Sequence, residues 1–142
     1  MKLVEVLMVE DNRGDVVLVE AAIEKVGVPY QVTVVSDGAE AVEFLHRCGK
    51  YAAAPCPELI MLDLKLPRKN GCEVLDEIGL DPLLRKIPLV LLSSSKSELK
   101  RARSYELPPE CYLEKPSTYQ GYVELIEAIE AFRGKAAKEN QP

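Results

Sequence analysis

Three short segments of this sequence are apolar almost from end to end: LVEVLMV at residues 3–9, LIML at 59–62 and IPLVLLS at 87–93. Near-continuous apolar runs of this length are typical of strands in a parallel sheet whose two faces are both covered by helices. A strand of this kind has no face left for water. The sequence therefore predicts an α/β fold.

The rest of the chain alternates with these runs in a regular way. Two further strands are predicted over 30–36 and 110–114, the first of them rich in β-branched residues. Helices are predicted between the strands, with Asp37 as an N-cap and with Gly27 and Gly49 as stop signals. The predicted helices cover 13–26, 37–50, 71–80, 96–105 and 117–132. Strict alternation predicts a doubly wound (βα)5 fold with a five-stranded parallel sheet.

Composition and charge narrow the class of protein. A chain of 142 residues with 47% hydrophobic and 29% charged residues is typical of one globular domain. Its formal net charge of −5 argues against a nucleic-acid surface, which is normally basic. No apolar run reaches the length of a membrane span, and the start MKLVEVLMVEDN reaches acidic residues too early for a signal peptide.

The cysteines fit a protein of the cytoplasm. Cys48, Cys56, Cys72 and Cys111 contain no C-x-x-C pair, so a zinc site is not expected. Without a secretory signal, the expectation is four reduced and mostly buried thiols.

Chemically active side chains follow four of the predicted strands. Glu10 and Asp11 follow the first strand, Asp63 the third, Ser93 the fourth and Lys115 the fifth. In an open α/β sheet, ligands bind outside the carboxyl ends of the strands. Three acids, a hydroxyl and a lysine are therefore expected at one edge of the sheet.

This set of groups suits the transfer of a phosphoryl group. Carboxylates at close quarters repel one another, and Mg²⁺, which prefers hard oxygen ligands, relieves that repulsion. Asp63 is then the expected nucleophile, with an acyl phosphate as its product. Mg²⁺ and Lys115 would neutralise the phosphoryl oxygens, and Ser93 would donate a hydrogen bond to one of them.

Each of these residues also has an ordinary structural interpretation. Glu10 and Asp11 can cap a helix, Asp63 and Ser93 can begin turns, and Lys115 can be a solvated charge. Their joint appearance after four strands favours the functional site.

With these residues in place, the sequence resembles the receiver domain of two-component response regulators over residues 3–132. The resemblance is carried by Glu10-Asp11, by the LIMLD run ending at Asp63, by the LPRKNG segment, by Ser93 and by Lys115-Pro116. It implies a CheY-like sheet with strand order 2-1-3-4-5. It also implies that a sensor histidine kinase phosphorylates Asp63.

The resemblance assigns further roles within the site. It implies that Mg²⁺ is held by the side chains of Glu10 or Asp11, by Asp63 and by the backbone carbonyl of Lys65. Lys115 would bind the phosphoryl group, a cis peptide would precede Pro116, and Ser93 and Tyr112 would form the switch pair. Such a protein is not an enzyme in the usual sense, although self-phosphorylation from small phosphodonors and autodephosphorylation are expected.

The segment EDNRGD and the long loop over 51–58 resemble the small stand-alone response regulators of phytochrome kinases. Some of those proteins have Ser where this sequence has Pro116. The resemblance implies a phytochrome as the kinase partner and a homodimer through the fourth helix, fifth strand and fifth helix. The expected organisation is a receiver over 1–133 and a polar tail over 134–142, with no output domain.

Three alternative functions are disfavoured by particular residues of the sequence. A phosphatase of the haloacid dehalogenase type needs a second Asp where this sequence has Lys65, and the acids of EDNRGD would repel the phosphate of a flavodoxin-type flavin. A degenerate receiver would have lost Asp63 or Lys115.

Two features are expected on helix surfaces. The single histidine, His46, is expected on a helix away from the site. Val17 and Ala21 are expected to expose an apolar face of the first helix to a docking kinase.

Overall fold

One parallel sheet organises the protein, for which a computed structural model describes residues 2–139. Its strand order is β2-β1-β3-β4-β5. The strands are β1 (Val4–Val9), β2 (Tyr30–Val35), β3 (Leu59–Asp63), β4 (Leu89–Ser93) and β5 (Tyr112–Glu114). The helices are α1 (Arg13–Val26), α2 (Gly38–Leu45), α3 (Gly71–Gly79), α4 (Lys96–Ala102) and α5 (Tyr119–Glu139). The predicted α/β class, (βα)5 topology and strand order are confirmed.

Both faces of the sheet are buried, as the apolar runs predicted. Successive side chains of a strand point to opposite faces. In β1, Leu7 and Val9 join a cluster with residues of α2, α3 and α4, whereas Val6 and Met8 join a second cluster with residues of α1 and α5. Every residue of β3 and β4 is buried. The sheet is therefore a rigid platform whose strand ends hold their side chains in fixed positions.

Helix caps set the direction in which the chain leaves several strands. Asn12 accepts a hydrogen bond from the amide of Asp15 at the start of α1, and Asp37 accepts one from the amide of Glu40 at the start of α2. These side chains satisfy amide groups that have no partner inside the helix.

Two helix ends differ from the predicted ones by five residues or more. The helix predicted over 37–50 ends at Leu45, because Arg47 turns the backbone into the left-handed region with φ 55°. The helix predicted over 117–132 continues instead to Glu139, so the tail expected over 134–142 is helical as far as the structure describes it. Arg133 pairs with Glu130 at 2.7 Å within this helix, which supports its continuation. Residues 140–142 of the predicted tail lie outside the described residues.

The expectation of mostly buried thiols was wrong. All four thiols are free, but Cys48 and Cys56 are exposed, Cys72 is half-buried and only Cys111 is buried. Cys48 and Cys56 lie between α2 and β3, where the proline-broken chain runs over the surface. Within residues 2–139, no helix is long and apolar enough to cross a membrane.

Candidate functional site

A cavity of about 690 Å³ lies at the carboxyl ends of the strands. Among the residues that line it are Glu10, Asp11, Asp63, Ser93 and Lys115. The site residues that the sequence placed after four different strands are thus brought together around one space.

Asp63 is the last residue of β3 and is held from two sides. Its side chain is buried, with 4% of the residue exposed. One carboxylate oxygen, Oδ1, accepts the backbone N–H of Lys65 at 3.0 Å. The other, Oδ2, accepts a hydrogen bond from Nζ of Lys115 at 2.8 Å. The carboxylate is therefore fixed at the floor of the cavity with both oxygens oriented.

Lys115 brings a positive charge to three carboxyl groups. Its Nζ lies 2.9 Å from Glu10 Oε1, 2.8 Å from Asp15 Oδ2 and 2.8 Å from Asp63 Oδ2. Burial alone would lower the pKa of Lys115, but the hydrogen bonds to Asp15, Asp63 and Glu10 outweigh it and raise the pKa above its usual value. The ammonium group therefore stays charged.

Asp15 is a site residue that the sequence interpretation missed. It lies in the first turn of α1 and lines the cavity, where it contacts Lys115 and lies 3.4 Å from the hydroxyl of Tyr122 on α5. A signal was available in the sequence, because α1 begins at Arg13, just after the acidic Glu10-Asp11 pair, and Asp15 lies in its first turn.

The acidic residues fit a divalent cation. Oxygen atoms of Glu10, Asp11 and Asp63 lie within 4.8 Å of one another, and Asp11 is exposed to the cavity mouth. The pKa of Glu10 is raised to about 8, first by burial and then by the neighbouring Asp63 carboxyl, against the opposing effect of Lys115. Carboxylates crowded in this way suit a hard cation such as Mg²⁺, which neutralises them and accepts oxygen ligands.

Ser93 and Tyr112 occupy different surroundings. Ser93 lines the cavity, but its Oγ donates a hydrogen bond to Glu98 Oε1 at 2.8 Å. Tyr112 lies outside the cavity and is half-buried; its hydroxyl donates to Ala102 O at 3.3 Å and accepts from the amide of Leu107 at 3.0 Å. In this structure the ring of Tyr112 is therefore tied to the end of α4.

The expected cis peptide before Pro116 was wrong, because within residues 2–139 every peptide bond is trans. The trans isomer is intrinsically preferred before proline, and it already allows Lys115 to bond Ser93 O through its amide and Asp63 through its side chain. Lys65 is exposed and lines the cavity, so its backbone is near the acids as expected. His46 is exposed at the end of α2.

Residues 6–130 match the family model of the response regulator receiver domain. The chain is 39% identical over 127 residues to the response regulator Rcp1 of Synechocystis sp.. The alignment covers 89% of this chain and 86% of that protein.

Two crystal structures of related proteins have the same fold. The phosphorylated cyanobacterial phytochrome response regulator RcpA is 41% identical with a TM-score of 0.82, covering 92% of this chain and 94% of that one. The Mn²⁺-bound form of Rcp1 is 38% identical with a TM-score of 0.79, covering 90% of this chain and 92% of that one.

Proposed function

The chain belongs to the response regulator receiver domain family, and we propose that it accepts a phosphoryl group from a sensor histidine kinase on Asp63. The observation that carries this proposal is the placement of the Asp63 carboxylate, which is buried at a strand end, lies 2.8 Å from the Lys115 ammonium and faces an open cavity. A nucleophile that is fixed in orientation beside a positive charge suits attack on a phosphoryl group.

Mg²⁺ is the proposed cofactor, held by Glu10, Asp11, Asp63 and the backbone carbonyl of Lys65. Support comes from the oxygen-rich cluster in this chain and from the Mn²⁺-bound structure of Rcp1. When bound, the cation supplies positive charge to the oxygens of the incoming phosphoryl group.

The protein's own groups carry out the transfer. An oxygen of Asp63 attacks phosphorus, a P–O bond forms, and the P–N bond to the kinase histidine breaks with its electron pair returning to the imidazole. Lys115 neutralises a phosphoryl oxygen throughout. A water later attacks the same phosphorus and releases phosphate, which regenerates the Asp63 carboxylate. Because the chain is itself phosphorylated, we regard it as a signalling protein that also reacts with small phosphodonors, not as a typical enzyme.

The proposed output is a change in the face formed by α4, β5 and α5. Ser93 would turn to the phosphoryl group, and Tyr112 would then change its contacts with α4. The phytochrome response regulators among the relatives support a phytochrome as the kinase partner. We propose that phosphorylation takes place in the cytoplasm. The proposed partner of the output face is a second copy of the chain, not nucleic acid or a membrane.

Asp63→Asn tests the proposed function directly. Wild-type protein incubated with acetyl phosphate and Mg²⁺ should gain a phosphoryl group, detected by intact-mass spectrometry, and removal of Mg²⁺ with a chelator should prevent labelling. Asp63→Asn should remain unlabelled, whereas Asp76→Asn, which changes an exposed aspartate on α3, should be labelled like the wild type. Labelling of Asp63→Asn at the wild-type rate would reject Asp63 as the acceptor.

A further inference from the structure

The proton of the Ser93 hydroxyl is already engaged, although this side chain lines the cavity beside Asp63. Ser93 is 1% exposed, and its Oγ donates to Glu98 Oε1 at 2.8 Å. The same Oγ accepts the amide of Ser95 at 3.0 Å. A hydroxyl carries one proton, so Ser93 cannot donate to Glu98 and to a phosphoryl oxygen at the same time.

At the start of α4, the side chain of Ser93 lies between the two residues of a capping box, Ser95 and Glu98. In α3, the N3 residue Glu73 accepts the amide of the N-cap residue Asn70 directly, at 3.1 Å. In α4, Ser95 is the N-cap and accepts the amide of Glu98 at 3.2 Å, but the return bond is relayed through Ser93. If Ser93 withdraws, the amide of Ser95 and the carboxylate of Glu98 are left as partners of an ordinary capping box.

Taking the phosphorylation of Asp63 proposed above as given, we propose that Glu98 is a positioning residue that competes with the phosphoryl group for the proton of Ser93. In the unphosphorylated protein, Glu98 holds the hydroxyl and ties the first turn of α4 to the end of β4. In the phosphorylated protein, the phosphoryl oxygen takes the hydrogen bond, and Glu98 accepts the amide of Ser95 instead. No covalent bond changes in this step, which exchanges one hydrogen-bond acceptor for another.

This exchange acts on a helix that is held at both ends by the expected switch residues. Ser93 holds the first turn of α4 through Glu98, and Tyr112 bonds the carbonyl of Ala102 at the last turn. Loss of the first contact therefore leaves the helix held by the buried side chain of Leu99 and by Tyr112 at its far end. Glu98, Arg101 and Lys65 line one cavity of about 340 Å³, so positive charges remain near the released carboxylate.

The direction of the effect follows from burial. Without Glu98, the Ser93 hydroxyl is buried and lacks its acceptor, which is costly unless a phosphoryl oxygen replaces it. Removing Glu98 also takes away the acceptor that the amide of Ser95 would use in the phosphoryl-bound state. That amide can bond water instead, because Ser95 is only half-buried. Removing Glu98 should therefore favour the phosphoryl-bound state. Because the bond from Ser93 is to a charged group, we expect its loss to raise the affinity for a phosphoryl group by about fivefold to tenfold, after allowing for a weaker helix cap.

The experiment is a double-mutant cycle read by the affinity for beryllofluoride, a non-covalent mimic of the phosphoryl group. Calorimetric titration in saturating Mg²⁺ compares wild type, Glu98→Ala, Ser93→Ala and the double variant. Glu98→Ala should bind beryllofluoride about fivefold to tenfold more tightly than wild type. In the Ser93→Ala background, the same change should have an effect of less than about twofold, because the competing proton is gone.

Two further variants separate this effect from simple changes of charge or folding. Glu98→Gln keeps the shape and a weaker acceptor, so its affinity should lie between those of wild type and Glu98→Ala. Glu43→Gln, which removes an exposed carboxylate on α2, should bind like wild type. An equal gain from Glu98→Ala with and without Ser93, or no gain in either Glu98 variant, would overturn the proposal. Wild-type protein that neither binds beryllofluoride nor is labelled by acetyl phosphate would overturn the proposed function itself, and this inference with it.

Discussion

Lys115 is the shared counter-ion of three carboxyl groups. The side chain is 13% exposed and meets the carboxyl groups of Glu10, Asp15 and Asp63 at 2.8–2.9 Å. A buried ion cluster adds little stability compared with apolar packing, but removing one partner leaves the others uncompensated. Lys115 therefore holds together carboxyl groups that would otherwise repel one another at the floor of the site.

Lys115→Met should destabilise the metal-free protein by about 3 kcal/mol, because three carboxyl groups lose their shared counter-ion. Addition of Mg²⁺ should recover part of this loss, since a bound cation neutralises the same groups. Urea unfolding with a chelator and with Mg²⁺ measures both effects. Lys135→Met, which removes an exposed lysine near the end of α5, should change the free energy of unfolding by less than about 0.5 kcal/mol. An equally small loss for Lys115→Met would contradict the proposed balance.

At the scale of single residues, the sequence predicted which side chains meet but not how they bond. The polar residues after four strands identified Asp63 and Lys115 as neighbours, because parallel strands end at one edge. Asp15 was missed because its position inside a helix suggested an ordinary acid of the first turn. The bond from Ser93 to Glu98 depends on side-chain rotamers, which a sequence pattern does not define.

Among the elements, the loop from β3 to α3 is packed closely against its neighbours. A Cβ atom on Gly38, the first residue of α2, would lie 1.7 Å from the carbonyl oxygen of Lys69. A Cβ on Gly71 would lie 2.6 Å from the Cα of Leu64. These glycines let the loop that follows Asp63 lie directly against α2 and the end of β3.

Gly38→Ala should therefore destabilise the protein by about 2–3 kcal/mol, because the added methyl group forces backbone atoms apart. Gly134→Ala is the matched control: it lies within α5, and a Cβ there would meet nothing within 4 Å. That change should instead stabilise the protein by about 0.5–1 kcal/mol through the higher helix propensity of alanine. Thermal or urea unfolding of both variants checks the opposite signs, and a neutral Gly38→Ala would contradict the close packing.

Helix α1 presents an apolar surface beside the acidic residues, as the sequence predicted. Val16, Val19 and Ile23 are buried against the sheet, whereas Val17 is 57% exposed and Ala21 is exposed. Small apolar side chains permit close approach of a partner helix and carry no charge to desolvate. This surface is where we expect the histidine kinase to dock.

Val17→Glu should slow phosphotransfer from a host phytochrome kinase that phosphorylates the wild type, by about tenfold or more, because the new carboxylate must be buried at the contact. Labelling by acetyl phosphate should be unchanged, since that route needs no docking. Leu83→Glu places the same charge on another exposed apolar residue, far along the chain from α1, and should transfer normally. If Val17→Glu is phosphorylated more slowly by the kinase and by acetyl phosphate to the same extent, the defect lies in the fold or the pocket and the docking surface is wrong.

The elements themselves were predicted more completely than their ends. Apolar runs and their alternation identified the five strands and five helices, since burial on both faces leaves a clear pattern. The end of α5 was not predicted, because a polar segment containing Gly134 suggests fraying. It continues to Glu139 with Phe132 packed against the core and Arg133 paired to Glu130. The residues after Gly134, KAAKE at 135–139, are all strong helix formers, so local propensity favours the continuation of a helix that is already anchored.

For the whole molecule, the face formed by α4, β5 and α5 carries opposite charges on its two helices. Lys100 and Arg101 are exposed on α4, and Glu124 and Glu127 are exposed on α5. Within residues 2–139, no ion pair joins these two sets. Glu130, which is also on α5, already accepts hydrogen bonds from Arg133 and from the hydroxyl of Tyr30. The remaining charges are free to pair with a second copy.

A two-fold contact would place the basic helix of each copy against the acidic helix of the other, as a self-complementary interface requires. Sedimentation velocity should therefore detect a dimer, and beryllofluoride should strengthen it if the switch acts on α4. Lys100→Glu should weaken the dimer by about tenfold, and adding Glu127→Lys should restore it, because the pair is then reversed in sign. Raising the salt concentration should weaken the wild-type dimer as well, since exposed charges are screened. A monomer with and without beryllofluoride would reject this interface, and failure of the reversed pair to restore association would show that charge does not direct it.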